Sequence, residues 1–515
     1  MVFLNNGLCI FNNTWVVFFT ELSYNDCVKK ITIHFNYGLI AEKRLGCYDI
    51  NTTTRKKKGD IIMKDVCEQI TKDAAKVANE LRAKGRARTK EKDLTCLAAG
   101  QIFPASFEET GINMNELIIG PTGCGKTYSV TIPRLLHTYN KSLVVPIAKR
   151  AVREKCATLL KKRGYNVINL DFTHPEKCEV GYDPMDYIRN DIDIVQTAKN
   201  LISMTVSKTQ SGVPDPYWND SATSVLAAII ALAREKAFEA KRKPSFADVV
   251  DMYRNMIVKE RNGHFTCSLD CEFEELEYFK PGNQACELWR TISGLSMKTA
   301  SCIISIVNNA MDKIFTENIV AMARKENRVS FKELGEKKTA VFVVTSPVNT
   351  TLQNYVNLMY ADMFRTLFET AEENDDNCLD VPVHIICDDF ACGSRINAFE
   401  EYISIFRAAG ISVTLLLQSE SQLAGMYGPV AATTIINNCD TYVYMGGRDL
   451  ETCEHVARKM NWQVTKVLNM PLEQVVVFRR GAEPVISRRY QVFDDPIYQK
   501  MEKERTSADK AREAS

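Results

Sequence analysis

Leu117-Ile118-Ile119-Gly120-Pro121-Thr122-Gly123-Cys124-Gly125-Lys126-Thr127 is the stretch that decides the fold of this 515-residue chain. A short apolar run, read as a strand, meets the pattern G-x-x-x-x-G-K-[ST], and a helical stretch follows. The glycines let the backbone curl so that successive N–H groups point inward at phosphate oxygens, and the following helix adds the positive end of its dipole. Gly120, Pro121, Thr122, Gly123, Cys124, Gly125, Lys126 and Thr127 therefore form the expected nucleotide-binding set. In it Lys126 meets the β- and γ-phosphates and the Thr127 hydroxyl ligates Mg²⁺. Cys124 holds a variable position at a helix N-terminus, where a thiol pKa tends to fall. It reads as a small space-filling residue, with redox sensitivity as the alternative.

Outward from the loop, strand-like runs at Leu117–Gly120, Leu143–Val145 and Val167–Leu170 alternate with helical stretches, the signature of a parallel α/β sheet. Between about Asp183 and Lys332 the pattern changes to long 3.6-residue periods, as in Ser221–Phe238 and Gln284–Phe315, and predicts an all-helical insert. Ser245 three residues before Asp248, and Ser330 three before Glu333, resemble capping boxes. Strand-like runs return at Ala340–Val344, His384–Cys387, Val413–Leu417, Tyr442–Met445 and Val475–Phe478. The expected organisation is a nucleotide-binding domain split between residues 112–182 and 333–498, an all-α insert at 183–332 and a charged tail at 499–515. A helical, basic segment is expected at 63–111, carrying Arg82, Lys84, Arg86, Arg88, Lys90 and Lys92. Residues 1–62 lack a sustained period and end in the basic run Arg55–Lys58; they read either as a small strand-rich appendage or as sequence upstream of a start at Met63.

Val383–Cys387 followed by Asp388-Asp389 is an apolar strand ending in paired carboxylates, the Walker B arrangement. Asp388 is expected to hold Mg²⁺ through water, and Asp389 to polarise the attacking water. The run Ile411–Leu417 ends at Gln418, a polar side chain at the sheet edge where α/β ligand sites lie and a candidate γ-phosphate sensor. Arg407 lies just before that strand; it is either a surface arginine or an arginine finger acting across a subunit interface.

Composition limits the partners. The net charge is +1, with 45% hydrophobic and 25% charged residues, so the chain is neither globally basic nor disordered in character. A polyanion must be met by local charge. The dense basic stretch Lys149, Arg150, Arg153, Lys155, Lys161, Lys162, Arg163 reads as a solvated helix face or, alternatively, as phosphate-backbone contact. Seventeen cysteines are scattered without a C-x-x-C and read as reduced thiols. No uninterrupted apolar run long enough for a transmembrane helix is present, and a signal peptide is not expected.

Several segments together resemble a family. GPTGCGKT (120–127), LLKKRGYNVINLD (159–171), DPYW (215–218), KKTAVFVVTSP (337–347), CDDFA (387–391), FRAAGISVTLLLQSESQL (406–423), NNCDTYVYMGG (437–447) and DLETC (449–453) are similar to the type IV secretion coupling proteins, the TraG-like conjugation ATPases. The resemblance covers roughly residues 115–498. It implies a RecA-like P-loop ATPase domain with an inserted all-α domain, assembled as a hexameric ring. That ring delivers DNA or a relaxase–DNA complex to the secretion channel at the cytoplasmic side of the cell membrane. By the same resemblance the ATP-site roles fall on Lys126, Thr127, Asp388, Asp389, Arg407 and Gln418, with ATP and Mg²⁺ as ligands.

Three departures stand out. Asp389 replaces the family's usual Glu, retracting the expected base by one methylene. Ile147-Ala148-Lys149-Arg150 stands where many members have Asp-Pro-Lys-Gly. Finally, the usual N-terminal membrane helices are not read in this sequence. The rivals are an FtsK/HerA-like DNA pump and a non-hydrolysing ATP-binding adaptor that recruits relaxase. The large helical insert and the DPYW segment favour the coupling protein over the pump.

Overall fold

The computed structural model describes residues 91–147, 150–204, 216–345, 350–388, 390 and 396–513, together with the backbone of five strands before residue 53. The chain forms two units, residues 1–85 and 86–515. In the first, β1 (Phe3–Leu4), β2 (Leu8–Phe11), β3 (Trp15–Phe19), β4 (Lys29–Phe35) and β5 (Cys47–Thr52) make an antiparallel sheet in chain order. The run Arg55–Lys58 and the helix expected from Met63 lie outside the described residues up to position 90.

The second unit opens with a hairpin, β6 (Leu94–Ala98) and β7 (Gln101–Pro104), and is then built on one nine-stranded sheet. Its strands are β8 (Glu116–Ile119), β9 (Ser142–Ile147), β10 (Asn166–Asp171), β13 (Thr339–Val344), β14 (Val383–Cys387), β15 (Ile411–Leu417), β16 (Thr441–Tyr444), β17 (Gln474–Arg479) and β18 (Val485–Arg488). The spatial order is β10-β13-β9-β14-β15-β8-β16-β17-β18, parallel from β10 through β16 and antiparallel over the last three. The parallel strands are mostly apolar because both faces of the sheet's middle are covered. Alternate residues feed two cores. Leu117, Ile119, Val413, Leu415 and Leu417 pack on one face, while Ile118, Leu416 and Ile386 pack on the other.

Between β10 and β13 lies the predicted helical block. Its spine is the helix Pro216–Glu239, with Ala227, Ile229 and Ile230 fully buried. Trp218, in its first turn, packs partly buried against the core, as an anchor does. Ser245 caps the helix Phe246–Arg254 in a complete capping box with Asp248, whereas Ser330 leads into Phe331–Glu336 without a side-chain cap. One element departs from an all-helical insert: β11 (Val258–Arg261) and β12 (His264–Cys267) form a hairpin. Asn262 and Gly263 at its tip have φ of 53° and 81°, the left-handed pair that a two-residue type I′ turn requires. The block is tied back by Arg365, whose guanidinium reaches Asp193 Oδ1 at 2.7 Å and the Tyr187 carbonyl at 2.7 Å. Nearby, burial raises the Asp362 carboxyl to about 7, where it accepts the Tyr182 hydroxyl at 2.6 Å.

Candidate nucleotide-binding site

Parallel strands end on one sheet edge, so β8, β14 and β15 deliver their following residues to the same place. β15 lies between the other two. The loop after β8 is fixed at its root by the Gly120 N–H, which donates to the Leu417 carbonyl at 3.0 Å. Gly123 and Gly125 take φ of 78° and 86°, conformations that L side chains rarely adopt and that turn backbone N–H groups into a concave cradle. Gly120 is required for a different reason: a Cβ there would sit 2.6 Å from Cys124 Sγ and 3.0 Å from Met445 Cβ. The Cys124 side chain is buried in that space, the packing role expected of it.

Lys126 is only 6% exposed, and its Nζ donates to the Gly120 carbonyl at 2.6 Å and the Pro121 carbonyl at 3.3 Å. The ammonium is thus folded into the loop it is expected to serve. Thr127 opens a short π-helical turn, Thr127–Thr131, that runs into the α-helix Ile132–Leu136. Its hydroxyl donates to Asp388 Oδ2 at 2.7 Å, and Thr131 Oγ1 lies 3.4 Å from the same oxygen. The two expected metal ligands, 261 residues apart in sequence, therefore meet directly. A carboxylate oxygen and a threonine hydroxyl beside a cationic, N–H-lined loop are hard oxygen donors of the kind that suits Mg²⁺ with a polyphosphate. The residues fit that pair of ligands.

Gln418 follows the middle strand, between the strand of the loop and the strand of the acid, and its N–H donates to Gln422 Oε1 at 3.2 Å. Asp389, the second acid, lies outside the described residues. Arg407 is elsewhere. It sits in the last turn of the helix Phe399–Ala409, before β15 begins, and so at the opposite edge of the sheet. The seven residues of β15 set it about 20 Å or more from the loop of its own chain. There it lines a cleft of about 400 Å³ with Phe107, Lys141 and Pro382.

Beneath the loop a buried polar chain crosses the sheet, and nothing in the sequence had singled it out. Arg134, on the helix that follows the loop, pairs with Glu116 of β8; both are at most 5% exposed at the side chain. Glu116 also accepts from Thr95 Oγ1 and from Thr414 Oγ1, each at 2.8 Å. The Thr414 hydrogen is thereby committed, so its oxygen accepts from His384 Nε2 at 3.0 Å. His384 Nδ1 then accepts from Ser412 Oγ at 2.8 Å. Burial, aided by Arg134 and Lys141, holds the His384 pKa well below its usual value, so the ring is neutral.

Four residues of the basic stretch after β9 are already engaged with the chain's own groups. Arg150 Nε binds Asp171 Oδ2 at 2.7 Å, Lys155 Nζ donates to the Tyr498 hydroxyl at 3.1 Å, and Lys162 meets Glu504 at 2.6 Å. Arg163 lies 4.0 Å above the Tyr139 ring. Of the two readings of this stretch, phosphate-backbone contact would have to displace these partners; Lys149 lies outside the described residues.

A phosphate loop and a strand-end acid brought together on a mostly parallel sheet, with a helical block between its strands, define a P-loop nucleotide-binding protein of the RecA-like fold. The family model for type IV secretory system conjugative DNA transfer matches residues 67–461, and the chain belongs to that family. It is 21% identical over 380 residues to the protein VirD4 of Agrobacterium fabrum (strain C58 / ATCC 33970), across 72% of this chain and 53% of that protein. To the VirD4 of Rhizobium rhizogenes it is 20% identical over 366 residues, across 70% of this chain and 51% of that one. The chain thus spans about half the length of these relatives. Among solved structures, the bacterial conjugative coupling protein TrwBdeltaN70, in complex with sulphate, superposes with a TM-score of 0.56 at 17% identity, over 80% of this chain and 92% of that one. TrwB in complex with the non-hydrolysable ATP analogue ADPNP superposes at 0.54, and TrwB with ADP and Mg²⁺ at 0.53; both are 17% identical over the same shares.

Proposed function

We propose that this chain is an ATP-dependent coupling protein that delivers DNA, or a relaxase–DNA complex, to a type IV secretion channel. The observation that carries the reading is the Thr127–Asp388 hydrogen bond, which joins the loop to the strand-end acid in a chain of this family. Lys126 and the N–H groups of residues 120–127 hold the phosphates of ATP, and Thr127 and Asp388 hold Mg²⁺. The metal, when bound, neutralises charge that develops on the transferred phosphoryl group. Gln418, between them, senses the γ-phosphate. Asp389 orients the attacking water.

Asp389 is one methylene shorter than the family's usual Glu, and positioning at this point is costly to lose. Turnover is accordingly slow, and Asp389→Glu is expected to raise it. Arg407 completes the site from a neighbouring copy, which makes a ring, by family resemblance a hexamer, the active assembly. The ring works at the cytoplasmic side of the cell membrane, a reading that the same resemblance supports; among the described residues no helix is long and apolar enough to cross a membrane.

The test is ATP hydrolysis with and without DNA. Stimulation by DNA that disappears in Lys126→Ala supports a translocating ATPase and excludes a non-hydrolysing adaptor. A flat baseline in both proteins sinks the enzyme assignment.

A further inference from the structure

Beside the phosphate loop two large aromatic rings stand open to solvent. Tyr128 is 41% exposed and Phe493 is 58% exposed, while their neighbours Val492 and Tyr498 are buried. The two rings stack, with centroids 5.6 Å apart and planes 22° from parallel. Packing does not fully account for them, since about half of the pair's surface faces water. Their position does have a meaning, because Tyr128 directly follows Thr127, about 3.8 Å along the backbone from the residue that faces Asp388.

Phe493 comes from the far end of the chain and is held against the loop by several bonds. Arg489 Nη1 donates to the carbonyl of Cys124, within the loop itself, across 365 residues of sequence. Asp495 accepts the Tyr490 hydroxyl at 2.6 Å and lies 2.6 Å from His137 Nε2. Gln499 Nε2 donates to the Phe493 carbonyl at 3.0 Å, and the Phe493 and Tyr498 rings meet nearly at right angles, 88° between planes. Lys155 Nζ stands 5.3 Å from the Tyr128 centroid and 5.6 Å from that of Tyr498, so the cluster is cationic on one side.

We propose that Tyr128 and Phe493 form the platform on which the base of the bound nucleotide stacks. This rests on the nucleotide-binding reading above and adds to it a subsite for the base. A nucleotide held by its phosphates in the loop projects its base past the first turn of the following helix, where Tyr128 is the second residue. The Arg489–Cys124 bond fixes Phe493 relative to the same phosphates. Stacking on a π face accepts any base, because every base has one. The platform therefore binds adenine and guanine nucleotides about equally.

The full chain is titrated with MgATP, with MgGTP and with magnesium tripolyphosphate, which has phosphates and no base. Tyr128→Ala and Phe493→Ala are each expected to weaken MgATP and MgGTP by about tenfold and to leave tripolyphosphate binding unchanged. Variants that bind MgATP as the parent does, or that lose all three ligands equally, overturn the platform. A parent that binds neither MgATP nor tripolyphosphate overturns the nucleotide-binding reading itself, and the platform with it. Phe493→Trp supplies a second readout that needs no loss of a ring. Its added fluorescence should be quenched by MgATP and not by tripolyphosphate, and the absence of that difference refutes stacking.

Discussion

The Arg407 guanidinium lies over the Phe107 ring, 5.0 Å from its centroid, at the edge of the sheet opposite Lys126. Two groups expected at one ATP are thus held at opposite ends of the same strands, and only a second copy can bring an Arg407 to a given Lys126. Arg407→Ala is expected to reduce ATP turnover by about 10³-fold or more while leaving MgATP affinity near the parent value. Mixing Arg407→Ala with Lys126→Ala should recover activity that neither variant shows alone. A mixture as inactive as its parts would sink the trans arrangement.

Asp388 is the acid that meets Thr127, and its role is separable from that of the loop. In the parent, Mg²⁺ should tighten ADP binding. Asp388→Asn keeps the shape and a hydrogen-bond acceptor but loses the charge, so the metal-dependent part of the affinity should vanish and the metal-independent part should persist. Calorimetric titration with ADP, in Mg²⁺ and in EDTA, separates the two.

The Glu116–Arg134 pair is buried below the phosphate loop. Arg134→Met alone leaves an uncompensated carboxylate and should cost about 3–5 kcal/mol of stability. Replacing both partners with apolar residues should cost much less, because no buried charge remains. Denaturant midpoints for the three variants decide this, and equal losses in the single and double variants would contradict the pairing.

His384 is buried neutral, with its pKa depressed by burial and by Arg134 and Lys141. The unfolded chain protonates this ring near pH 6.5 and the folded chain resists, so protons bind the unfolded state preferentially. Stability is therefore fully present above about pH 6.5 and falls as pH drops from there toward the lower folded-state value. His384→Gln, which keeps polar atoms but cannot titrate in this range, should flatten that part of the pH–stability curve. A curve with the same slope in both proteins would assign the acid sensitivity elsewhere.

Much of the site was readable because its chemistry is local. The residues of the loop are contiguous, and all eight runs read as strands in residues 116–479 lie on observed strands, since strands covered on both faces carry short, mostly apolar runs. β18, at the sheet edge, was not read; Val485 and Ile486 are exposed, and the run is short. The hairpin inside the helical block did have a local signal, Asn262-Gly263, which the surrounding helical periods obscured. What could not be read was the long-range pairing of charges. Arg134 and Glu116 each look like ordinary surface residues in the sequence, and only burial against each other, with His384 two bonds away, makes them a network. Asp388 and Thr127 were paired by motif. Tyr128 and Phe493, by contrast, belong to no motif and meet only through the fold.

β10 and β13 lie side by side in register from Asn166–Thr339 to Asp171–Val344, yet the whole helical block separates them in the chain. A parallel pair needs a crossover, commonly a single helix of a dozen residues or so. Here the whole helical block serves as that crossover, much as a parenthesis runs on without disturbing the sentence around it. Closing a longer loop between fixed ends costs little, about 0.6 kcal/mol for each doubling of its length. The block can therefore lengthen, shorten or change its surface over evolutionary time while β8, β14 and β15 keep their order and the phosphate site its shape. The nucleotide site can in this way stay as it is while only the clause between two neighbouring strands is rewritten.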